Sequence, residues 1–169
     1  MRLSQTSATT NSETVTLRSP RISDGAAMHR LAEATGVLDA NTLYAYVLWC
    51  HDFAATSVVA EVDGEFAGFV TGYRKPDDPS ILMVWQVAVD ERFRGRGIGA
   101  RMLHGLLDAV ADSGCRALHT TISPDNDASQ RLFASVAQRR GLSLSRRPLF
   151  AAADLGGAHE PEDLYVLAP

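Results

Sequence analysis

Cysteine is scarce in this chain: Cys50 and Cys115 are the only two among 169 residues, and they lie far apart without a C-x-x-C pair. No disulfide framework follows from them, which points to a reducing cytoplasm and leaves both thiols as core fillers rather than catalysts. His51, His104 and His119 have no companions at metal-ligand spacing, so no metal site is expected. No apolar segment reaches the length needed to cross a membrane, and residues 1–13 lack the apolar stretch of a secretion signal. An excess of basic residues is missing as well. The formal charge of −4 argues against a general nucleic-acid binder, although Arg92, Arg94, Arg96 and Arg101 cluster locally. A local basic cluster in an acidic chain suits a small anionic ligand.

What is present is enough apolar residue, 46%, for one core in a chain of this length. The reading is a polar, disordered tail over 1–13 and a single mixed α/β domain over 14–169. Val15–Arg18 has short strand alternation, and Asp24 is placed to cap a helix over Gly25–Thr35. A cap region over 36–42 leads to a second helix ending near Phe53. Two strands, over 56–62 and 65–73, meet at Asp63-Gly64, a strong hairpin signal, and the chain returns through a third antiparallel strand. A helix over about 99–112 precedes a strand over 117–122, which lies parallel to the one before the helix. Pro124 and the polar residues around it open a helix to about Arg140. Strands at 142–145 and 164–167 close the sheet around a long loop containing Pro148, Gly156, Gly157, His159 and Glu162.

Ile81–Met102 organises the rest. ILMVWQVAV has one polar member and reads as a buried strand, and it runs through DERF into Arg94-x-x-Gly97-x-Gly99 and an amphipathic helix. Amides at such a helix start lack intrahelical partners and converge on an anion such as a phosphate. The spacing fits neither a dinucleotide G-x-G-x-x-G nor a nucleotide-hydrolysing P-loop. It resembles the acetyl-CoA pyrophosphate loop of the GNAT superfamily of N-acetyltransferases. That resemblance implies a GNAT fold: a central, mostly antiparallel mixed sheet splayed between its fourth and fifth strands and flanked by helices. It implies acetyl-CoA as co-substrate, with Arg94, Gly95, Arg96, Gly97 and Gly99 at the pyrophosphate. The backbone of Val87 and Val89 would lie along the pantetheine arm, and Asn126 and Ser129 near its sulfur end. Phe133 departs from the family, where many members carry a tyrosine that can protonate the leaving thiolate.

A narrower resemblance rests on four stretches: Leu38-Asp39-Ala40-Asn41 with Tyr44-Ala45-Tyr46, the run from Phe69 to Pro76, the run from Val84 to Asp90, and the run from Thr121 to Asn126. Together they are similar to the L-2,4-diaminobutyrate acetyltransferases of ectoine biosynthesis. The resemblance implies acetyl transfer to the 4-amino group of a small diamino acid, and many relatives are homodimers. Such a substrate carries two ammoniums and one carboxylate, so its pocket needs acidic groups and a base. Asp39 and Glu162 are the candidate acids and catalytic carboxylates; Tyr44, Trp85 and His159 complete the candidate substrate site. Each has a structural alternative. Asp39 also suits a helix N-cap, Tyr44 a rim aromatic, Trp85 the core, and His159 and Glu162 solvated loop charges. Two other functions stay open, another small-molecule or peptide amine acetyltransferase and a non-catalytic acyl-CoA-sensing module.

Overall fold

The computed structural model describes residues 12–169, so most of the expected tail lies outside the described residues. Within it, Glu13 is paired with Arg96. Seven strands, β1 (Val15–Arg18), β2 (Val58–Val62), β3 (Glu65–Arg74), β4 (Ile81–Val89), β5 (Ala117–Ile122), β6 (Ser143–Phe150) and β7 (Glu162–Ala168), form one sheet in the order β1-β2-β3-β4-β5-β7-β6. Only β4 and β5 run parallel, as a helical crossover between them requires. The helices are α1 (Gly25–Thr35), α2 (Leu43–Asp52), α3 (Ile98–Ala111) and α4 (Asp127–Arg140). The β2–β3 turn is the hairpin read from Asp63-Gly64, with both residues at positive φ, 49° and 84°.

Each sheet face buries its own apolar cluster. Val84, Leu103, Leu106 and Phe133 pack between the sheet and the α3/α4 layer. Met28, Tyr46, Phe69 and Ala88 pack on the other face, against α1 and α2. Val84 and Ala88 are four residues apart and would share a face in a regular strand. They do not, because β4 carries a bulge: Gly72 pairs with Val84 and Thr71 with Gln86, which leaves Trp85 as the extra residue.

Three local expectations are corrected. Asp24 occupies the N-cap of α1 but makes no cap bond; its carboxylate pairs with Arg18 at 2.7 Å and accepts from the Arg21 amide at 2.6 Å. The cap of α2 is Thr42, whose hydroxyl accepts from the Ala45 amide at 3.3 Å, so Asp39 is free of that duty. The last two strands are longer than their sequence signal, with β6 running through Pro148. A proline fits there because β6 is the outermost strand, and pairing with β7 is irregular between Pro148 and Phe150.

Candidate active site

The bulge in β4 lies where the sheet opens. β4 and β5 pair from Ile81↔Ala117 to Val84↔Thr120 and then separate, although β4 continues to Val89 and β5 to Ile122. Two buried threonines satisfy the backbone groups this irregularity strands. The Thr71 hydroxyl accepts from the Gln86 amide at 3.1 Å, and the Thr120 hydroxyl donates to the Val84 carbonyl at 3.1 Å. Below the fork, the Asp90 amide donates to Ala67 on β3, so residues 88 and 90 face β3 and the polar groups of Val87 and Val89 turn toward the gap. The Val89 carbonyl is already used there by Arg94 Nε at 3.3 Å, whereas the Val87 amide and carbonyl form an open strand edge.

At the foot of the gap, Gly95 and Gly97 take left-handed backbone, φ 75° and 72°, and Gly97 is the N-cap of α3. This geometry turns the chain so that the amides from Gly95 to Ala100 have no backbone acceptor among the described residues. Gly99 serves packing instead: a Cβ there would lie 3.4 Å from Leu132 of α4. The basic side chains divide. Arg96 is committed to Glu13 and, at 2.9 Å, to the Arg92 carbonyl, so its guanidinium is engaged within the chain. Arg94 lines a groove of about 440 Å³ beside α1. An open strand edge leading to six unengaged amides fits an amide-bearing arm that ends in a pyrophosphate.

At the fork, a cleft of about 480 Å³ is lined by Asp39, Trp85, Gln86, Val87, Thr121, Asn126, Ser129, Phe133, His159 and Glu162, among others. Asp39 comes from the α1–α2 loop, Trp85 from the bulge, His159 from the loop before β7, and Glu162 from the first residue of β7. Residues 120 positions apart thus meet, with His159 Nε2 3.1 Å from Asp39 Oδ2. His159 Nδ1 lies 2.7 Å from the Glu160 carbonyl, so both ring nitrogens face acceptors. The Glu160 contact first, and then Asp39, raises the imidazole above its usual range and favours the cation. The resulting stabilisation is present below the ordinary histidine pKa and is lost as pH rises through the folded-state value. Burial pushes the Glu162 carboxyl up, partly offset by Thr121 and His159, while Asp39 and Asp125 add to the rise. Glu162 is a carboxylate with its basicity increased, set against a cation and a second acid.

Trp85 is 36% exposed and stacks on Trp49 of α2 at 4.6 Å between centroids, so it presents its other surface to the cleft. Asn126 caps α4 by accepting from the Ser129 amide at 3.1 Å, and both residues face the cleft. Phe133 is buried against it and brings no hydroxyl. Tyr44 does not join the group: it is 72% exposed on the outer side of α2 and does not line the cleft. Tyr46 is the buried member of that pair, and its hydroxyl donates to Gln86 Oε1 at 3.1 Å. Gln86 was missed by the sequence reading, although it is the single polar residue in the β4 run. Thr121, also missed, stood inside a quoted motif without any chemical signal of its own.

Residues 26–137 match the model of the acetyltransferase (GNAT) family. The chain is 56% identical over 153 residues to the L-2,4-diaminobutyric acid acetyltransferase of Streptomyces coelicolor, covering 89% of this chain and 90% of that protein. It is 53% identical over 156 residues to the protein of the same name from Nocardia farcinica, covering 92% and 81%. It superposes with a TM-score of 0.88 on the diaminobutyrate acetyltransferase EctA from Paenibacillus lautus in complex with its substrate L-2,4-diaminobutyric acid and coenzyme A, at 37% identity and covering 92% and 95% of the two chains. On this match and these identities, the chain belongs to the acetyltransferase (GNAT) family and, within it, to the L-2,4-diaminobutyric acid acetyltransferases.

Proposed function

We propose that this chain transfers the acetyl group of acetyl-CoA to the 4-amino group of L-2,4-diaminobutyrate, giving the N4-acetyl product that serves as ectoine precursor. The observation that carries the reading is the convergence of Asp39, His159 and Glu162 on one cleft at the mouth of the β4/β5 gap. The amine arrives protonated, since with a pKa near 10 only about one molecule in a thousand is neutral at pH 7. Glu162 takes the proton, and the freed nitrogen attacks the thioester carbonyl. The C–N bond forms as the C–S bond breaks, the electron pair leaves on sulfur, and the second proton of the attacking nitrogen passes to solvent or to the departing thiolate. The Val87 amide, unpaired at the fork, is placed to stabilise the developing oxyanion. Phe133 supplies no proton to the departing thiolate, which is tolerable because thiols are acidic, with a reference pKa near 8.5. Asp39, oriented by His159, holds the second ammonium, while Trp85 walls the carbon chain of the substrate.

Mass and regiochemistry of the product from diaminobutyrate and acetyl-CoA, with ornithine, lysine and a peptide amine as competitors, test this directly. Absence of N4-acetyl-diaminobutyrate would sink it. Two further features belong to the same reading. A homodimer is supported by the exposed length of β6, with Leu144, Leu149 and Phe150 open to solvent, and a single-chain mass by sedimentation would refute it. A cytoplasmic setting is supported by the two free thiols and by the metabolic co-substrate, and cell fractionation checks it.

A further inference from the structure

Gln86 is the one polar side chain in the apolar β4 run, and it is 4% exposed. Both of its ends are engaged. Oε1 accepts from the Tyr46 hydroxyl of α2 at 3.1 Å, and Nε2 donates at 3.0 Å to the backbone carbonyl of Asp39. Its own amide is held by Thr71 inside the bulge. Without the bulge, position 86 would face the α3/α4 core, where a carboxamide has no partner; with it, the side chain turns under the α1–α2 loop. That loop has few anchors of its own. The Leu38 amide donates to the Thr35 hydroxyl at 3.2 Å, Asn41 donates back to the same Asp39 carbonyl at 3.1 Å, and the Asp39 side chain is 80% exposed. A buried carboxamide reaching across 47 positions to fix the backbone of an exposed acid is a polar group kept in a core for its geometry.

We propose that Gln86, clamped by Tyr46, is a positioning residue: it sets the Asp39 carboxylate at the cleft mouth for the substrate's second ammonium without itself touching the reacting atoms. This rests on the assignment of Asp39 as a substrate-binding acid. It makes the bulge at Trp85 serve two purposes, since one extra residue both presents the indole to the cleft and brings Gln86 under Asp39.

The test is a double-mutant cycle read on KM for diaminobutyrate, with KM for acetyl-CoA as the internal control. Gln86→Met removes the donor at nearly constant volume and is expected to raise the diaminobutyrate KM about tenfold, leaving the acetyl-CoA KM within about twofold. In an Asp39→Asn background, where the acid is already gone, the same change is expected to add less than about twofold. Tyr46→Phe, which deletes only the clamping hydroxyl, shifts KM in the same direction by a smaller factor and carries the cycle if the Gln86 variant does not fold. Equal effects in both backgrounds, or parallel loss of acetyl-CoA affinity, would mean that Gln86 supports the fold alone and overturn the inference. An Asp39→Asn enzyme with unchanged diaminobutyrate KM would instead overturn the substrate-binding assignment of Asp39, and the role of Gln86 with it.

Discussion

At the level of single residues, Glu162 carries the sharpest consequence. Burial raises its carboxyl above the ordinary 4.5, which makes it a better proton acceptor at neutral pH than a solvated acid. The folded state then holds this proton to a higher pH than the unfolded chain does, so stability falls as pH rises between the two values and the deficit persists above both. Glu162→Gln is therefore expected to lower kcat about 100-fold or more and to abolish the acidic limb of the kcat/KM profile. Thermal stability at pH 7 should be unchanged or higher. Stopped assays across pH 5 to 9 and a melting curve check both halves, and a lower melting temperature with full turnover would contradict them. Residues also show where the sequence was legible. Glu162 and His159 were readable as charges but not as neighbours of Asp39, because the contact spans the whole length of the domain. Tyr44 and Tyr46 are two apart on one helix, and only packing could decide that Tyr46 is the buried one.

At the level of elements, β4 was evident from composition, and the glycine turn after it from spacing, because both are local signals. The bulge was not. It depends on how β3 pairs with β4, and the two threonines that complete the fork look like ordinary strand residues. Thr71 and Thr120 are 0% and 3% exposed. Each supplies a hydrogen bond where the ladder has none. Thr120→Val keeps the shape but leaves the Val84 carbonyl buried without its partner. It is expected to destabilise the fold by about 1–3 kcal/mol, read as a fall in the urea midpoint at constant m-value. It should also lower acetyl transfer, because Val84 is the last residue before the strands part. A midpoint equal to the unsubstituted chain would show that the fork closes without this hydroxyl. The end of the chain shows the same contrast: Leu164–Leu167 is an unbroken apolar run that marks a strand locally, whereas β6 is exposed along its whole length and contains Pro148, so neither burial nor propensity marked its extent.

For the molecule as a whole, the architecture divides recognition between backbone and side chains. The gap between β4 and β5 and the turn at Gly95 and Gly97 offer backbone amides, a surface suited to the amide-bearing arm and pyrophosphate of the co-substrate. The cleft beside it offers carboxylates and an indole, to which the proposed function assigns the choice of amine. A ligand that bridges α3 and the open edge of β4 binds only the folded chain and must stabilise it. At about 100 times its dissociation constant, coenzyme A is expected to contribute about 2.7 kcal/mol, a rise in melting temperature of roughly 5–10 °C for a domain of this size. Gly97→Val puts a β-branched residue at φ 72°, a backbone conformation such residues rarely tolerate. The turn should reorient and most of the coenzyme A shift should vanish. Diaminobutyrate alone engages the cleft and not the turn, so any stabilisation it gives should survive this substitution. If Gly97→Val kept the full coenzyme A shift, the phosphate would have to be held elsewhere, and the Arg94 groove beside α1 would be the place to look.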